Sequence, residues 1–356
     1  MRALFYAVNG LGLGHVTRLL SMARALKAQA PDAEVLFVTS SEASQVIAQE
    51  GFAAVKVPSK SLRERVGLSR TRYLRVVQSV TWAAISGFDP DVLVVDTYPS
   101  GSFDELLPVL RWRQKNVFVF REQRPEAASA PLMQATLPLY DLILVPHAQT
   151  SAVGKVPEPG KLRAVGPVLL RERDELPTRE QARAWLGLSP TAKALYVSFG
   201  GGGEPELQRA LDDTLNAVQA EFGDRLEVVV GAGPLSRGAS TKVRQLHDVY
   251  PALDVLPAFD AAICAAGYNA VHEALFAQVP TVFVPFARVL DDQEARAREV
   301  EKAGAGLFAP VPSQVVVPLR AVLEPARVEP MRAAMKTLVP ANGAQASAQA
   351  IIELCR

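Results

Sequence analysis

Residues 2–29 read "RALFYAVNGLGLGHVTRLLSMARALKAQ". A short apolar run enters a turn with glycines at 10, 12 and 14, and the turn opens into a stretch with apolar residues at helical spacing. This is a strand–turn–helix unit. Working outward, "EVLFVTS" (34–40), "DVLVVDTY" (91–98), "NVFVFRE" (116–122) and "DLILVP" (141–146) read as further strands. Such near-continuous Val, Leu and Ile runs suit parallel strands covered on both faces. Helical stretches lie between them, so the first half is an open α/β sheet. The pattern then restarts at residues 193–222, "KALYVSFGGGGEPELQRALDDTLNAVQAEF", and continues through "LEVVVGAG" (226–233), "AAICAAG" (261–267) and "PTVFVPF" (280–286).

The break falls in "AVGPVLLRERDELPTREQARAWLGL" (164–188), where a strand gives way to a charged, Pro-containing linker and a new helix. The expected domains are 1–166 and 167–340, both Rossmann-like and doubly wound, with 341–356 as a C-terminal helix packing back on the first. Two such domains are expected to face each other across a cleft, with ligands at the carboxyl ends of the strands.

A length of 356 residues fits two domains. Lys and Arg number 38 against 37 Asp and Glu, a net charge of +1, which gives no whole-chain argument for nucleic-acid binding. Two cysteines, Cys264 and Cys355, form neither a disulfide framework nor a zinc or redox motif. A reducing, cytoplasmic setting is expected. No apolar run has membrane-spanning length, and the chain starts on a strand without signal-peptide features.

Four constellations carry chemistry. In "NGLGLGHVTR" (9–18) the G-x-G spacing lacks the third glycine of a dinucleotide fingerprint, and no acid closes the second strand. The glycines instead let backbone approach a ligand, and His15 projects at a helix start. The helix dipole disfavours its charged form there, which suits a neutral general base. Read alone, His15 reads first as a capping or packing residue of the turn. In "SFGGGGEPE" (198–206), Gly200, Gly201, Gly202 and Gly203 precede a helix whose free N–H groups suit a diphosphate. No Lys-Ser/Thr pair follows, so this is not a P-loop. Beyond Gly267, Glu273 sits where a carboxylate can accept both ribose hydroxyls. Asp291, Asp292 and Gln293 follow the next strand, an acid-plus-amide set suited to sugar hydroxyls. Finally, "RERVGLSRTRYLRVVQSVTWAAI" (63–85) sets Arg63, Arg65, Arg70, Arg72 and Arg75 beside Leu, Tyr, Val and Trp82. It reads as a solvated helix face or as a segment docking on anionic lipid.

These residues resemble a GT-B glycosyltransferase of the family-28 type. The likeness is strongest in "AAGYNAVHEALFAQVPTVFVPF" (265–286) and "DDQEARAREVEKAGAG" (291–306), and is supported by "NGLGLGHVTR", "FDPDVLVVDTYPSG" (88–101) and "FREQRP" (120–125). The resemblance implies a nucleotide-sugar substrate, UDP-linked in the family, bound by the C-terminal domain. Glu273 then holds the ribose, and Asp292 and Gln293 the sugar. Gly201 to Gly203 lie over the diphosphate, with Gly267, Tyr268 and Asn269 beside it. His15 is the implied base in an acceptor-side loop with Gly12, Gly14 and Arg18. No cofactor or metal is expected, and the acceptor is unidentified. Inversion at the sugar is implied by the family alone. Asp292 departs from the amide of the lipid-precursor enzymes. The base-reading stretch "LDVLPAFDAA" (253–262) is shorter than in the family. A nucleotide-sugar epimerase on this fold, or a non-catalytic nucleotide-sugar-binding protein, are the competing readings.

Overall fold

The computed structural model describes residues 1–8, 12–153, 155–200, 205–233, 243–246, 249–288 and 290–356. They divide into two compact units: Met1–Leu170 with Asn342–Arg356, and Arg171–Ala341.

In the first unit the strands are β1 (Arg2–Ala7), β2 (Glu34–Thr39), β3 (Ala53–Lys56), β4 (Val92–Asp96), β5 (Lys115–Val119), β6 (Leu142–Val145) and β7 (Leu162–Ala164). They form one sheet in the order β3-β2-β1-β4-β5-β6-β7, every pairing parallel. The second unit has β8 (Ala194–Ser198), β9 (Glu227–Gly231), β10 (Arg244–Leu246), β11 (Ala261–Ala265), β12 (Thr281–Val284) and β13 (Leu307–Phe308). Its order, β10-β9-β8-β11-β12-β13, repeats the same winding, again all parallel. The central strands β4 and β11 are buried along their whole length, which is why they read as apolar runs. In such sheets the strand order reverses at one point, and a crevice opens there at the carboxyl ends. The reversal lies between β1 and β4 in the first sheet and between β8 and β11 in the second.

The chain returns to the first unit at Asn342. Its side chain accepts from Leu169 N at 2.9 Å and donates to Leu169 O at 2.9 Å, while also capping the last helix, Gly343–Leu354, at Ala344 N. That helix packs along the first helix, Gly14–Gln29. Gly343 is required at the seam, because a Cβ there would stand 2.4 Å from Gly166 O and 2.5 Å from Val165 O. Backbone cannot step aside as a side chain can. Gly343→Ala is therefore expected to destabilise by about 1–3 kcal/mol, read as a lowered urea midpoint. Gly160→Ala, which meets nothing within 4 Å, serves as the unchanged control.

Among the described residues no helix is long and apolar enough to cross a membrane.

Candidate functional site

At the first reversal point, the helix Gly14–Gln29 starts close behind β1, so His15 stands in its first turn beside the end of β4. Gly12 takes φ +87°, a conformation that a side chain would strain. His15 Nδ1 lies 3.2 Å from Asp96 Oδ2, and Arg18 Nη2 lies 2.7 Å from the same oxygen. Thr97 Oγ1 donates to the other oxygen, Asp96 Oδ1, at 3.0 Å. Asp96 is fully buried, so its charge requires these partners. Burial pushes its carboxyl up, but the Arg18 and His15 charges and hydrogen bonds outweigh this and hold it below the usual range. For His15 burial dominates in the other direction. Together with the Arg18 and Arg121 charges it outweighs the pull of Asp96, and the imidazole titrates below its ordinary value.

A tautomer follows from these charges. An ionised carboxylate only accepts, and a neutral imidazole carries one N–H. The charge of Asp96 favours the proton on Nδ1 and the lone pair on Nε2, although the 3.2 Å contact is not aligned as a hydrogen bond.

The loop behind β4 is held to the same purpose. Thr97 is β-branched yet adopts φ +67°, a strain of roughly 1–3 kcal/mol. The bend brings the Tyr98 ring over the His15 ring, centroids 5.7 Å apart. Further along, the buried Glu105 carboxylate accepts from Tyr6 Oη, Ser102 N (3.1 Å) and Phe103 N (2.7 Å), and Trp82 Nε1 donates to Glu105 O at 2.7 Å. These bonds fix the loop to β1 and to the helix Arg70–Phe88. One strand over, Glu122 N donates to His147 Nε2 at 3.1 Å. Asp96, Tyr98 and Arg121 are absent from the residues picked out of the sequence. The available signal is an acid closing a fully buried strand.

At the second reversal point, Gly200 turns the chain away from β8 with φ +101°. Gly201, Gly202 and Gly203, like Gly10 in the first loop, lie outside the described residues. Gly267 is the N-cap of the helix Tyr268–Phe276 that follows β11. Glu273 lies on that helix, 8 % exposed, and its carboxyl group makes no hydrogen bond among the described residues. Burial, reinforced by the Asp254 charge and opposed by Arg171, pushes its carboxyl up to about 8. Asp254 itself is held by Arg171 at 3.0 and 3.1 Å.

Gln293 begins the helix Gln293–Lys302 after β12. Its Oε1 accepts from Phe286 N at 3.0 Å, and its Nε2 lies near Gly267, 3.7 Å from where a Cβ would stand. Arg296 ties this corner together, binding Asp291 at 2.7 and 3.3 Å and Ala266 O at 3.0 Å. Asp292 has a local use that the sugar-contact reading omitted: it caps the helix, accepting from Ala295 N at 3.1 Å. Tyr268 differs in a similar way. Its ring is buried against His272, centroids 4.2 Å apart, leaving backbone to shape the turn. Asn269 Oδ1 is shielded from solvent without a hydrogen-bond partner among the described residues. The stretch 253–262 forms two short 3-10 turns, Ala252–Asp254 and Leu256–Ala258, leading into β11. Among the described residues no group of three or more His, Cys, Asp or Glu is arranged to hold a metal ion.

Comparison with known proteins agrees with this layout. Residues 236–351 match the glycosyltransferase family 28 C-terminal domain. The chain is 27% identical to the UDP-N-acetylglucosamine--N-acetylmuramyl-(pentapeptide) pyrophosphoryl-undecaprenol N-acetylglucosamine transferase of Nocardioides sp., over 96% of this chain and 95% of the relative. The transferase of the same name from Symbiobacterium thermophilum is 27% identical over 99% of this chain and 96% of the relative. Among solved structures, the glycosyltransferase SnogD from Streptomyces nogalater superposes with a TM-score of 0.67 at 18% identity, covering 100% of both chains. A Streptomyces sp. glycosyltransferase complexed with thymidine diphosphate gives 0.66 at 20% identity, covering 99% of both. At that identity the solved structures speak for the fold. The chain is a glycosyltransferase on the GT-B fold and family-28-like.

Proposed function

We propose that this glycosyltransferase takes a nucleoside-diphosphate sugar on its Arg171–Ala341 unit and transfers the sugar to an acceptor hydroxyl bound by the Met1–Leu170 unit. The observation that carries the donor half is Glu273. A buried carboxylate with no hydrogen bond is costly unless a ligand completes it. Two vicinal ribose hydroxyls supply what it lacks. Gln293 Nε2 and the turn at Gly267, the N-cap of the helix Tyr268–Phe276, then take the sugar and diphosphate side. The uridine diphosphate sugars named for the relatives are the first donors to test.

In the chemical step His15 Nε2 accepts the proton of the acceptor hydroxyl. The oxygen attacks the anomeric carbon as the bond to the diphosphate oxygen breaks, and the sugar inverts. Asp96 stabilises the imidazolium that forms. Backbone amides, not a metal ion, offset the charge on the departing diphosphate. The reaction is tested by incubating donor with and without lipid-linked, glycan and small-molecule acceptors. Acceptor-dependent release of nucleoside diphosphate is expected. Conversion of the donor alone into an epimer would replace this reading with the epimerase one.

A lipid-linked acceptor, as named for the relatives, brings the membrane surface into the proposal. The helix Arg70–Phe88 exposes Arg72, Arg75, Val76 and Trp82 along one side, with Arg70 exposed at its first position and Val66 just ahead. Each basic side chain near an anionic surface is worth roughly 1 kcal/mol, so changing Arg70, Arg72 and Arg75 to serine is expected to weaken binding to anionic vesicles roughly 100-fold. Co-sedimentation checks it, and equal partitioning with and without anionic lipid would remove the membrane contact.

A further inference from the structure

We propose that Arg18 is a positioning residue that keeps His15 a neutral imidazole of one tautomer. This rests on the general-base reading of His15 given above. Arg18 is 2 % exposed and shares Asp96 Oδ2 with His15, at 2.7 Å against 3.2 Å. It stands three residues after His15 on the same helix, so both side chains reach β4 from one face. Its guanidinium also lies against the first turn, with Nη1 3.7 Å from where a Cβ on Gly14 would be.

Two consequences follow. The first is geometric. Arg18 holds Oδ2, and Thr97 holds Oδ1, which fixes the carboxylate with Oδ2 3.2 Å from His15 Nδ1, a charge contact that is not aligned as a hydrogen bond. Nε2 stays free for the acceptor. The second is electrostatic. The charged and titratable groups around His15 are Asp96 from the end of β4, Tyr98 from the loop behind it, Arg121 from the end of β5, and Arg18 from its own helix. Among the described residues only Asp96 favours an imidazolium, and Arg18 already offsets that charge. A lone His–Asp pair would draw a proton onto the histidine and leave it unable to accept another. The guanidinium prevents this in the resting state. Asp96 remains in contact to stabilise the cation once the acceptor proton arrives.

The test is an NMR titration of the His15 ring in the whole protein, its signal identified by its loss in His15→Gln. It reads proton affinity with no substrate present, so it is independent of whether His15 acts as the base. In Arg18→Met the proton affinity is expected to rise at least tenfold, moving the midpoint up by one pH unit or more. Arg18→Lys, which restores the charge, is expected to bring the midpoint most of the way back. If the Met variant does not fold, Arg18→Gln takes its place, since it offers Asp96 a donor without charge, and the same rise is expected. A neutral variant whose His15 titrates as in the wild type overturns the proposal. If the midpoint moves while the acid limb of kcat/KM stays in place, Arg18 tunes His15 as proposed, and it is the general-base reading that falls.

Discussion

His15→Ala is expected to lower the transfer rate about 10²–10⁴-fold, the usual share of a positioned general base. Nucleoside-diphosphate affinity should not change, because the residues proposed to bind it lie on the other unit. The fold should survive too, since Asp96 keeps Arg18 and Thr97 as partners after the imidazole is gone. This separates the base from its neighbour. Asp96→Asn would leave the buried Arg18 guanidinium without a counter-charge, a loss of about 3–5 kcal/mol, so its effect on turnover would mix chemistry with folding. Because burial and two guanidiniums hold His15 below its ordinary range, the acid limb of wild-type kcat/KM should lie below the ordinary imidazole midpoint. Steady-state kinetics of wild type and His15→Ala measure both. Equal turnover by the two proteins would sink the general-base assignment.

Glu273→Gln is expected to weaken nucleoside-diphosphate binding roughly 100-fold, the scale of one or two charge-assisted hydrogen bonds. In the wild type the affinity should rise with pH and level off above about 8, because the ribose hydroxyls donate to the ionised carboxylate. Binding should therefore release a proton at pH 7. Stability should run the other way. The folded carboxyl titrates near 8 against 4.5 for the model group, so between those values the folded state holds a proton that the unfolded state has lost. Stability then falls as pH rises from about 4.5 to 8, by up to about 5 kcal/mol. Gln cannot ionise and does not suffer this loss. The variant should melt roughly 10 °C above wild type at pH 9, with the difference vanishing near pH 5. Scanning calorimetry across that range checks it. A variant both tighter-binding and less stable would contradict the site.

The strands that the sequence disclosed are those buried on both faces, such as β4 and β11, where every position is apolar or small save Asp96 at the end of β4. The strands it hid are short or exposed. β3 (Ala53–Lys56) is mostly solvent-facing at a sheet edge, β10 is three residues and β13 is two. None is long enough to show a period. In the candidate site, His15 was legible because glycine spacing and a helix start mark it locally. Asp96 was not, because its link to His15 depends on β1 lying beside β4, a pairing across the reversal that chain order conceals. Asp292 shows the opposite failure. An acid directly ahead of a helix is an N-cap signal, and the sugar-binding pattern drew attention away from it.

Every donor-side assignment depends on the second unit binding a nucleoside diphosphate through Glu273. Isothermal titration of the wild-type chain with uridine, thymidine, guanosine, adenosine and cytidine diphosphates tests it most directly. At least one should bind, with proton release at pH 7 and with affinity lost in Glu273→Gln. If none binds, or if the one that binds does so equally well to Glu273→Gln, the donor site is not where these residues place it.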